Sequence, residues 1–251
     1  MDNVSPKKTK FHFTRTRKNA ILINTLLLIL IVSVALLSPI FAVKNVIISG
    51  TARLTDQKVL SASQIEKGKN TFLFRTSRAE DLVKALPFVE DAKIKRRFPT
   101  TVLISISECK PTAQVSVGGT LYLVIDKRGK ILDSSPERLK YAIPVIEGVS
   151  VNEFSLGDRL IMEDEPRYNT MMSIITELTE NEMWDKTKRV YYEDSYQIEY
   201  TDNLICDLEK GKDIAYKIKF LKEAIANIPD GKTGTIEFID DYKAVFKPDE
   251  E

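Results

Sequence analysis

The chain has 251 residues, with 37 basic and 36 acidic side chains, two cysteines and one histidine, His12. Two cysteines exclude a disulfide-dense scaffold. Beyond residue 43 there is no histidine, which excludes a Ser-His-Asp triad, a Cys-His pair and a His-ligated zinc site in that region. The same region has 31 basic and 35 acidic residues, and this net negative charge argues against a nucleic-acid-binding protein.

Residues 20–43 contain no charged side chain and predict a single transmembrane helix. At the helical rise they would extend about 36 Å, more than the roughly 30 Å of a bilayer core. Six basic residues against one acid in residues 1–19 predict a cytoplasmic N-terminus. Everything from Lys44 onward is then outside the cytoplasm. The alternative is a signal peptide cleaved near Ala42, but the apolar run is about twice the usual length for one.

Residues 1–19 form a polar, basic tail without apolar periodicity, and we expect them to be disordered. Their charge would either set the membrane topology alone or contact anionic lipid or a cytoplasmic partner.

Residues 44–112 predict five elements in the order β-α-α-β-β. Thr55 is a candidate N-cap of the first helix, and residues 77–80 have the form of a capping box at the start of the second. Alternating apolar residues predict the last two strands, which a turn at residues 97–100 joins. The elements are a strand at 44–50, helices at 55–62 and 77–86, and strands at 90–96 and 101–108.

Residues 82–114 resemble the end of the POTRA domain in the bacterial cell-division proteins FtsQ and DivIB. A basic tail, one membrane span and a short strand also follow that family's layout, whereas Cys109-Lys110 after Glu108 departs from it. The matching positions are Leu86, Pro87, Val89, Ala92, Arg96, Phe98, Pro99, Thr100, Ile104, Ile106, Glu108, Pro111, Thr112 and Ala113.

From Val115 onward the patterns predict strands and two helices. Two pieces, residues 121–132 and the short apolar segment 143–148, resemble the opening of the β domain that follows POTRA in the same family. Residues 121–132 predict a hairpin with Gly129 in its tight turn. Asp164 is a candidate N-cap of a helix whose apolar stripe we expect to be core, not a cofactor pocket. The stripe consists of Tyr168, Met171, Met172, Ile175 and Leu178. A second helix at 212–228 and strands at 190–192, 198–201, 204–208, 235–239 and 242–246 complete the prediction.

The expected fold class is α+β: a transmembrane helix, an extracytoplasmic POTRA domain and a mainly antiparallel β domain with two helices. The expected boundaries are 1–19 for the cytoplasmic tail, 20–43 for the transmembrane helix, 44–113 for the POTRA domain, 114–247 for the β domain and 248–251 for the C-terminal tail.

The resemblance implies a non-enzymatic scaffold at the division septum, with no cofactor, metal or small-molecule substrate. Its implied partners are proteins like FtsB and FtsL (or DivIC), together with a septal penicillin-binding protein, and it would help to position septal peptidoglycan synthesis. An exposed terminal strand could accept a strand from such a partner. The candidate contacts, which sheet packing would also explain, are Ile236, Phe238, Tyr242, Ala244 and Phe246.

A basic cluster in the first hairpin is either a solvated face or a docking patch for another division protein. It consists of Lys93, Lys95, Arg96 and Arg97.

Two other function classes are open to test. Residues 107–110, 150–152 and 232–234 spell the S-x-x-K, S-x-N and K-T-G motifs of penicillin-binding serine acyltransferases. The chemistry requires Ser107 and Lys110 on one helical face, but they lie at the end of a predicted strand. An outer-membrane assembly or secretion factor would need several POTRA copies or a β-barrel, for which this chain is too short.

Cys109 and Cys206 both lie in apolar, strand-like runs. They could pair in an oxidising compartment, but we favour two unpaired, buried thiols.

Overall fold

The computed structural model describes residues 15–138, 143–151, 153–201, 204–229, 231–240 and 243–249. For residues 15–18 and 36 it describes the backbone alone. Three residues named above, His12, Asn152 and Tyr242, lie outside the described residues, as do residues 1–14 of the predicted tail.

The first helix, α1, spans Arg15–Leu36 and its described side chains are exposed. The predicted bounds of this helix are wrong at both ends: residues 15–19, which we expected to be disordered, are helical, and the helix ends before Val43. Ser38 is extended, with φ −59° and ψ 145°, and Pro39–Phe41 form a 3₁₀ turn, because a residue before proline avoids the α conformation. In the part of the chain with described side chains, none of the helices combines the length and apolarity needed to cross a membrane. The span at 20–43 therefore stays a prediction.

Residues 42–108 form an N-terminal module with the predicted β-α-α-β-β order. Its three-stranded sheet has the order β1-β3-β2, with β1 parallel and β2 antiparallel to the central strand. Val43, Val59, Val83, Val102 and Ile104 are among the buried residues of its core. The elements are β1 (Asn45–Ser49), α2 (Asp56–Ser63), α3 (Thr76–Lys84), β2 (Val89–Arg97) and β3 (Thr101–Glu108).

The two helices of this module begin differently. The Thr55 hydroxyl accepts a hydrogen bond from the Lys58 N–H, as predicted for an N-cap. The predicted capping box of α3 is wrong: its N-cap is Arg75, which makes no side-chain cap bond. Glu80 Oε1 instead accepts a hydrogen bond from Ile94 N at 2.7 Å. Glu80 therefore fastens α3 to β2, and this contact depends on tertiary structure.

Residues 109–249 form a C-terminal module around a nine-stranded sheet of order β12-β11-β10-β9-β8-β7-β4-β5-β6. Between the described strands, five pairings are antiparallel and three are parallel. The strands are β4 (Ala113–Val117), β5 (Leu121–Ile125), β6 (Ile131–Ser135), β7 (Val145–Glu147), β8 (Thr187–Tyr192), β9 (Tyr196–Tyr200), β10 (Leu204–Asp207), β11 (Gly234–Asp240) and β12 (Lys243–Pro248).

Two helices connect parallel strands of this sheet. α4 (Glu165–Glu180) lies between β7 and β8, and α5 (Ile214–Ala226) between β10 and β11, as parallel pairs require a crossover. Asp164 caps α4 by accepting from Arg167 N, as predicted. Of the predicted stripe, Met172 is half-buried against the core and the other four residues are buried in it.

The two cysteines are free and buried, which confirms the expectation of two unpaired thiols. Cys206 lies in the main core, whereas Cys109 packs in a separate small cluster with Val124 and Leu132. Burial raises the pKa of the Cys206 thiol to about 12. Burial, with a hydrogen bond to Asp126, raises the pKa of Cys109 to about 12. Both thiols are therefore protonated and unreactive at neutral pH.

One lysine joins the two modules. Lys130, in the β5–β6 hairpin, donates hydrogen bonds from Nζ to the carbonyl oxygens of Lys84 at 2.6 Å, Leu86 at 2.8 Å and Val89 at 2.7 Å. A cation there satisfies carbonyls at the C-terminal end of α3, where the helix dipole also favours it. Beside this contact, the backbone at Gly157 in the C-terminal module lies close to that of Ala85 in the N-terminal module. A Cβ on Gly157 would lie 2.1 Å from the Ala85 carbonyl oxygen.

Candidate partner-binding edge

The last strand, β12, lies at one end of the nine-stranded sheet and pairs with β11. An edge strand presents one row of backbone N–H and C=O groups away from its neighbour. Its free side is therefore a candidate site for a partner strand.

The register of β12 identifies the backbone groups on this free side. Asp249 N donates to the Thr233 carbonyl oxygen at 3.1 Å, so Thr233 and Asp249 form a hydrogen-bonded pair. In an antiparallel ladder such pairs alternate with non-bonded ones, so they recur at every second residue. The register pairs Glu237 with Val245, four residues from Thr233 and Asp249, and this pair is therefore hydrogen-bonded as well. Val245 thus bonds to β11, whereas Ala244 and Phe246 direct their N–H and C=O groups outward.

Pro248 falls in the same outward set as Ala244 and Phe246. It has no N–H, so its position costs the β11–β12 ladder nothing, and it supplies no outward donor. The free edge therefore offers two N–H donors, at Ala244 and Phe246. They are two residues apart, which is about 7 Å along a strand.

Two other strand edges, those of β6 and β2, are partly covered by neighbouring chain. Ile131 in β6 donates its N–H to Asp158 O at 2.8 Å and accepts from Gly157 N at 2.8 Å, so the loop that contains Gly157 blocks part of that edge. In the N-terminal module, Glu80 occupies the Ile94 N–H of β2. These edges are less available for strand addition than β12.

The five side chains predicted to contact partners lie in different environments. Ile236 and Phe238 are buried in the core, with the Phe238 ring 5.7 Å from that of Phe220 in α5. Ala244 and Phe246 are half-buried and pack against the same core. Tyr242 lies outside the described residues. Ile236 and Phe238 can therefore support β12 from beneath but do not present their side chains at its edge.

Lys217, which the sequence patterns did not single out, supports the same region from α5. Its side chain is only 1% exposed, yet Nζ donates to Glu209 Oε2 at 2.7 Å and to Leu208 O at 3.3 Å. The same nitrogen lies 4.8 Å from the centre of the Phe238 ring. A paired and hydrogen-bonded cation is tolerated in a core, and this one holds α5 over β11.

The basic cluster of the first hairpin divides between two faces of β2. Lys93, Lys95 and Arg97 are exposed. Arg96 turns inward: its Nε donates to Thr71 O at 2.8 Å and its Nη2 to Phe74 O at 2.5 Å. Arg96 therefore stabilises the loop before α3, and the surface that a partner could contact consists of the other three.

The acyltransferase motif does not form a catalytic arrangement within the described residues. Ser107 lies on β3 opposite Asp91, not on a helix as the motif requires, and Lys110 follows the end of the strand. Glu108, between them, accepts hydrogen bonds from Ala52 N at 2.8 Å and Arg53 N at 2.9 Å. Glu108 thus fastens the loop after β1, which is a structural role.

Comparison with known proteins gives one family model and several relatives. Residues 41–108 match the model for the POTRA domain, FtsQ-type. The chain is 22% identical over 215 residues to the cell division protein DivIB of Clostridium tetani, a match covering 83% of this chain and 81% of that protein.

Two further relatives match over about half of this chain. DivIB of Streptococcus gordonii is 32% identical over 123 residues, 48% of this chain and 30% of that protein. The cell division protein FtsQ of an Anaeromyxobacter species is 28% identical over 120 residues, 48% of this chain and 40% of that protein. Both matches span less than half of the relative's own length.

Proposed function

Because this chain belongs to the FtsQ/DivIB family of bacterial cell-division proteins, we propose that it is a non-enzymatic scaffold of the division machinery that captures an extended partner segment along β12. The observation that carries this proposal is the pair of outward N–H groups, at Ala244 and Phe246, on an edge strand whose register with β11 is fixed. A partner strand placed there would extend the sheet by β-augmentation.

The partners proposed from the resemblance are membrane proteins like FtsB and FtsL (or DivIC), and through them a septal penicillin-binding protein. A strand added to β12 gains main-chain hydrogen bonds whatever its sequence, so side chains must supply the selectivity. Ala244 and Phe246 are half-buried beside this edge and can contact the partner's side chains. The protein itself makes and breaks no covalent bond in this proposal.

Membrane anchoring by residues 20–43 belongs to the same proposal. The 22 residues of α1 extend about 33 Å at the helical rise, and its large apolar side chains, such as Leu22, Leu26 and Leu30, are exposed. With the N-terminus in the cytoplasm, both modules would lie outside the membrane at the septum. Confinement to the same membrane as the partners raises their effective concentration, so modest affinities can hold the complex.

The variant Ala244→Pro tests the proposed edge with the full chain reconstituted in lipid nanodiscs. Proline removes the outward donor of Ala244 and leaves the β11–β12 hydrogen bonds in place. Loss of one such bond, with the partner's carbonyl left unpaired, should weaken binding of a purified FtsB- or DivIC-type partner about tenfold or more. The matched control Ala244→Ser keeps the N–H and nearly the same side-chain volume, and should bind nearly as the parent does.

Equal affinity of the two variants, with both folded, would exclude strand addition at β12. The serine acyltransferase alternative has its own test: covalent labelling of Ser107 by a β-lactam would show catalysis and overturn the scaffold proposal.

A further inference from the structure

Three phenylalanine rings meet at the end of the N-terminal module that α1 enters. The rings of Phe41 and Phe72 are 5.3 Å apart, those of Phe72 and Phe98 5.3 Å, and those of Phe41 and Phe98 6.5 Å. They come from three segments: the 3₁₀ turn after α1, the loop before α3, and the β2–β3 turn. We call these residues, with Leu73, the aromatic tip.

Three of the four residues of the aromatic tip are exposed, Phe41 is half-buried, and none of the four belongs to the module's core. Phe98 is 55% and Leu73 69% exposed, whereas neighbouring Val43 and Thr71 are buried. An exposed apolar group of this kind, made of large rings, marks an interaction surface more often than a single exposed residue does.

Backbone hydrogen bonds fix the aromatic tip beside the end of α1. Thr71 N donates to Phe41 O at 2.8 Å, and Lys44 N donates to Thr100 O at 2.8 Å. The loop that carries Phe72 and the turn that carries Phe98 are thus tied to the segment that follows α1. The tip continues the exposed apolar surface of Leu37 and Ile40 without an intervening charged residue.

The charges around the aromatic tip are mostly basic. Residues 37–45, 66–75 and 97–100 contain five basic residues and one acid, Glu66, and all five basic side chains are exposed. The basic residues are Lys44, Lys67, Lys69, Arg75 and Arg97. Aromatic rings with a basic border fit the headgroup region of an anionic bilayer, where rings enter the interface and cations meet lipid phosphates.

We propose that the aromatic tip inserts into the headgroup–acyl boundary of the same membrane that holds α1, with anionic lipids against the basic border. This inference rests on the proposed anchoring by residues 20–43. Two attachments, α1 and the tip, hold the N-terminal module flat against the bilayer. Because Lys130 joins the modules, the same contact fixes the height of β12 above the membrane.

Tryptophan fluorescence in the full chain tests this contact. Phe72→Trp is reconstituted in vesicles of phosphatidylcholine and phosphatidylglycerol whose acyl chains are brominated near the headgroup, and brominated lipid quenches tryptophans that it touches. Trp184, the only native tryptophan, is buried in the C-terminal module and serves as the unquenched reference. Ile161→Trp is the matched control, since Ile161 is an apolar residue 75% exposed in that module.

After subtraction of the Trp184 emission measured in the parent chain, we expect the emission of Phe72→Trp to fall in brominated lipid, because interfacial aromatic rings lie at the headgroup level, and that of Ile161→Trp to stay unchanged. Phe98→Trp repeats the test if the first variant fails to fold. Leu28→Trp, with bromine deep in the acyl chains, reports the anchor independently.

Quenching of Leu28→Trp with none at Phe72→Trp or Phe98→Trp would overturn the tip contact and leave the anchoring intact. Without quenching at Leu28→Trp, the anchoring proposal fails, and the tip variants still decide whether the tip touches lipid. Equal quenching in vesicles of phosphatidylcholine alone would overturn the part assigned to anionic lipid.

Discussion

Replacing Lys130 with methionine should weaken the contact between the two modules. Methionine keeps the length and apolar contacts of the lysine stem but removes the ammonium group, which donates to the carbonyl oxygens of Lys84, Leu86 and Val89. Leu86 O also accepts from Val89 N at 3.3 Å, so the variant mainly affects Lys84 and Val89, whose carbonyls lose a charged donor.

The magnitude follows from the geometry and burial of this contact. A hydrogen bond to a charged group contributes about 1.5–3 kcal/mol, but burial lowers the pKa of Lys130, which shows that the cation also costs desolvation. We therefore expect a net loss of about 3 kcal/mol in the free energy of unfolding, less than the sum of three bonds. For a folded region of this size, that is a fall in Tm of about 6–12 °C.

Thermal unfolding of the full chain in detergent, followed by circular dichroism, measures this loss. Lys127→Met is the control, because Lys127 is 67% exposed and its Nζ is 3.6 Å from Glu90, and such surface pairs contribute about 0.5 kcal/mol. A spin-label distance between the modules should also broaden in Lys130→Met and stay narrow in the control. If both variants unfold within about 1 °C of each other, the idea that Lys130 joins the modules is wrong.

Three further results are expected. The pKa of both Cys109 and Cys206 is raised from 9.0 to about 12, so the unfolded chain loses protons that the folded chain keeps, and stability should fall as pH rises from 9 to 12. Urea unfolding should show a shallower fall for the double Cys→Ala variant, and equal slopes would contradict this. Arg96→Met should destabilise the N-terminal module by about 2 kcal/mol, whereas Lys95→Met should change it little; the same urea titration compares them. Gly148→Ala should destabilise the folded chain and lower its Tm, because φ is +76° and the added Cβ would lie 1.9 Å from a backbone oxygen. A Tm equal to that of the parent would refute this.

Residue patterns along the chain suffice to predict most local elements of this protein. The β-α-α-β-β order follows from apolar periodicity and from the turn at residues 97–100, and the start of α4 follows from Asp164, because periodicity and capping depend on residues a few positions apart. The resemblance to the cell-division family also rests on a contiguous run, residues 82–114. Pro39 likewise indicates that α1 ends shortly before it, at Leu36, because the residue before a proline avoids the helical conformation.

Which side chains and backbone groups face each other across distant parts of the chain depends on how the elements pack, and residue patterns do not predict it. Arg96 was predicted within a basic surface cluster but turns to carbonyls beside α3, and Glu80 reaches Ile94 instead of capping its own helix. Lys130 meets its partners more than forty positions away. The outward N–H groups of Ala244 and Phe246 follow from the pairing of β12 with β11, because a strand pattern gives the period of its side chains but not which neighbour takes its hydrogen bonds.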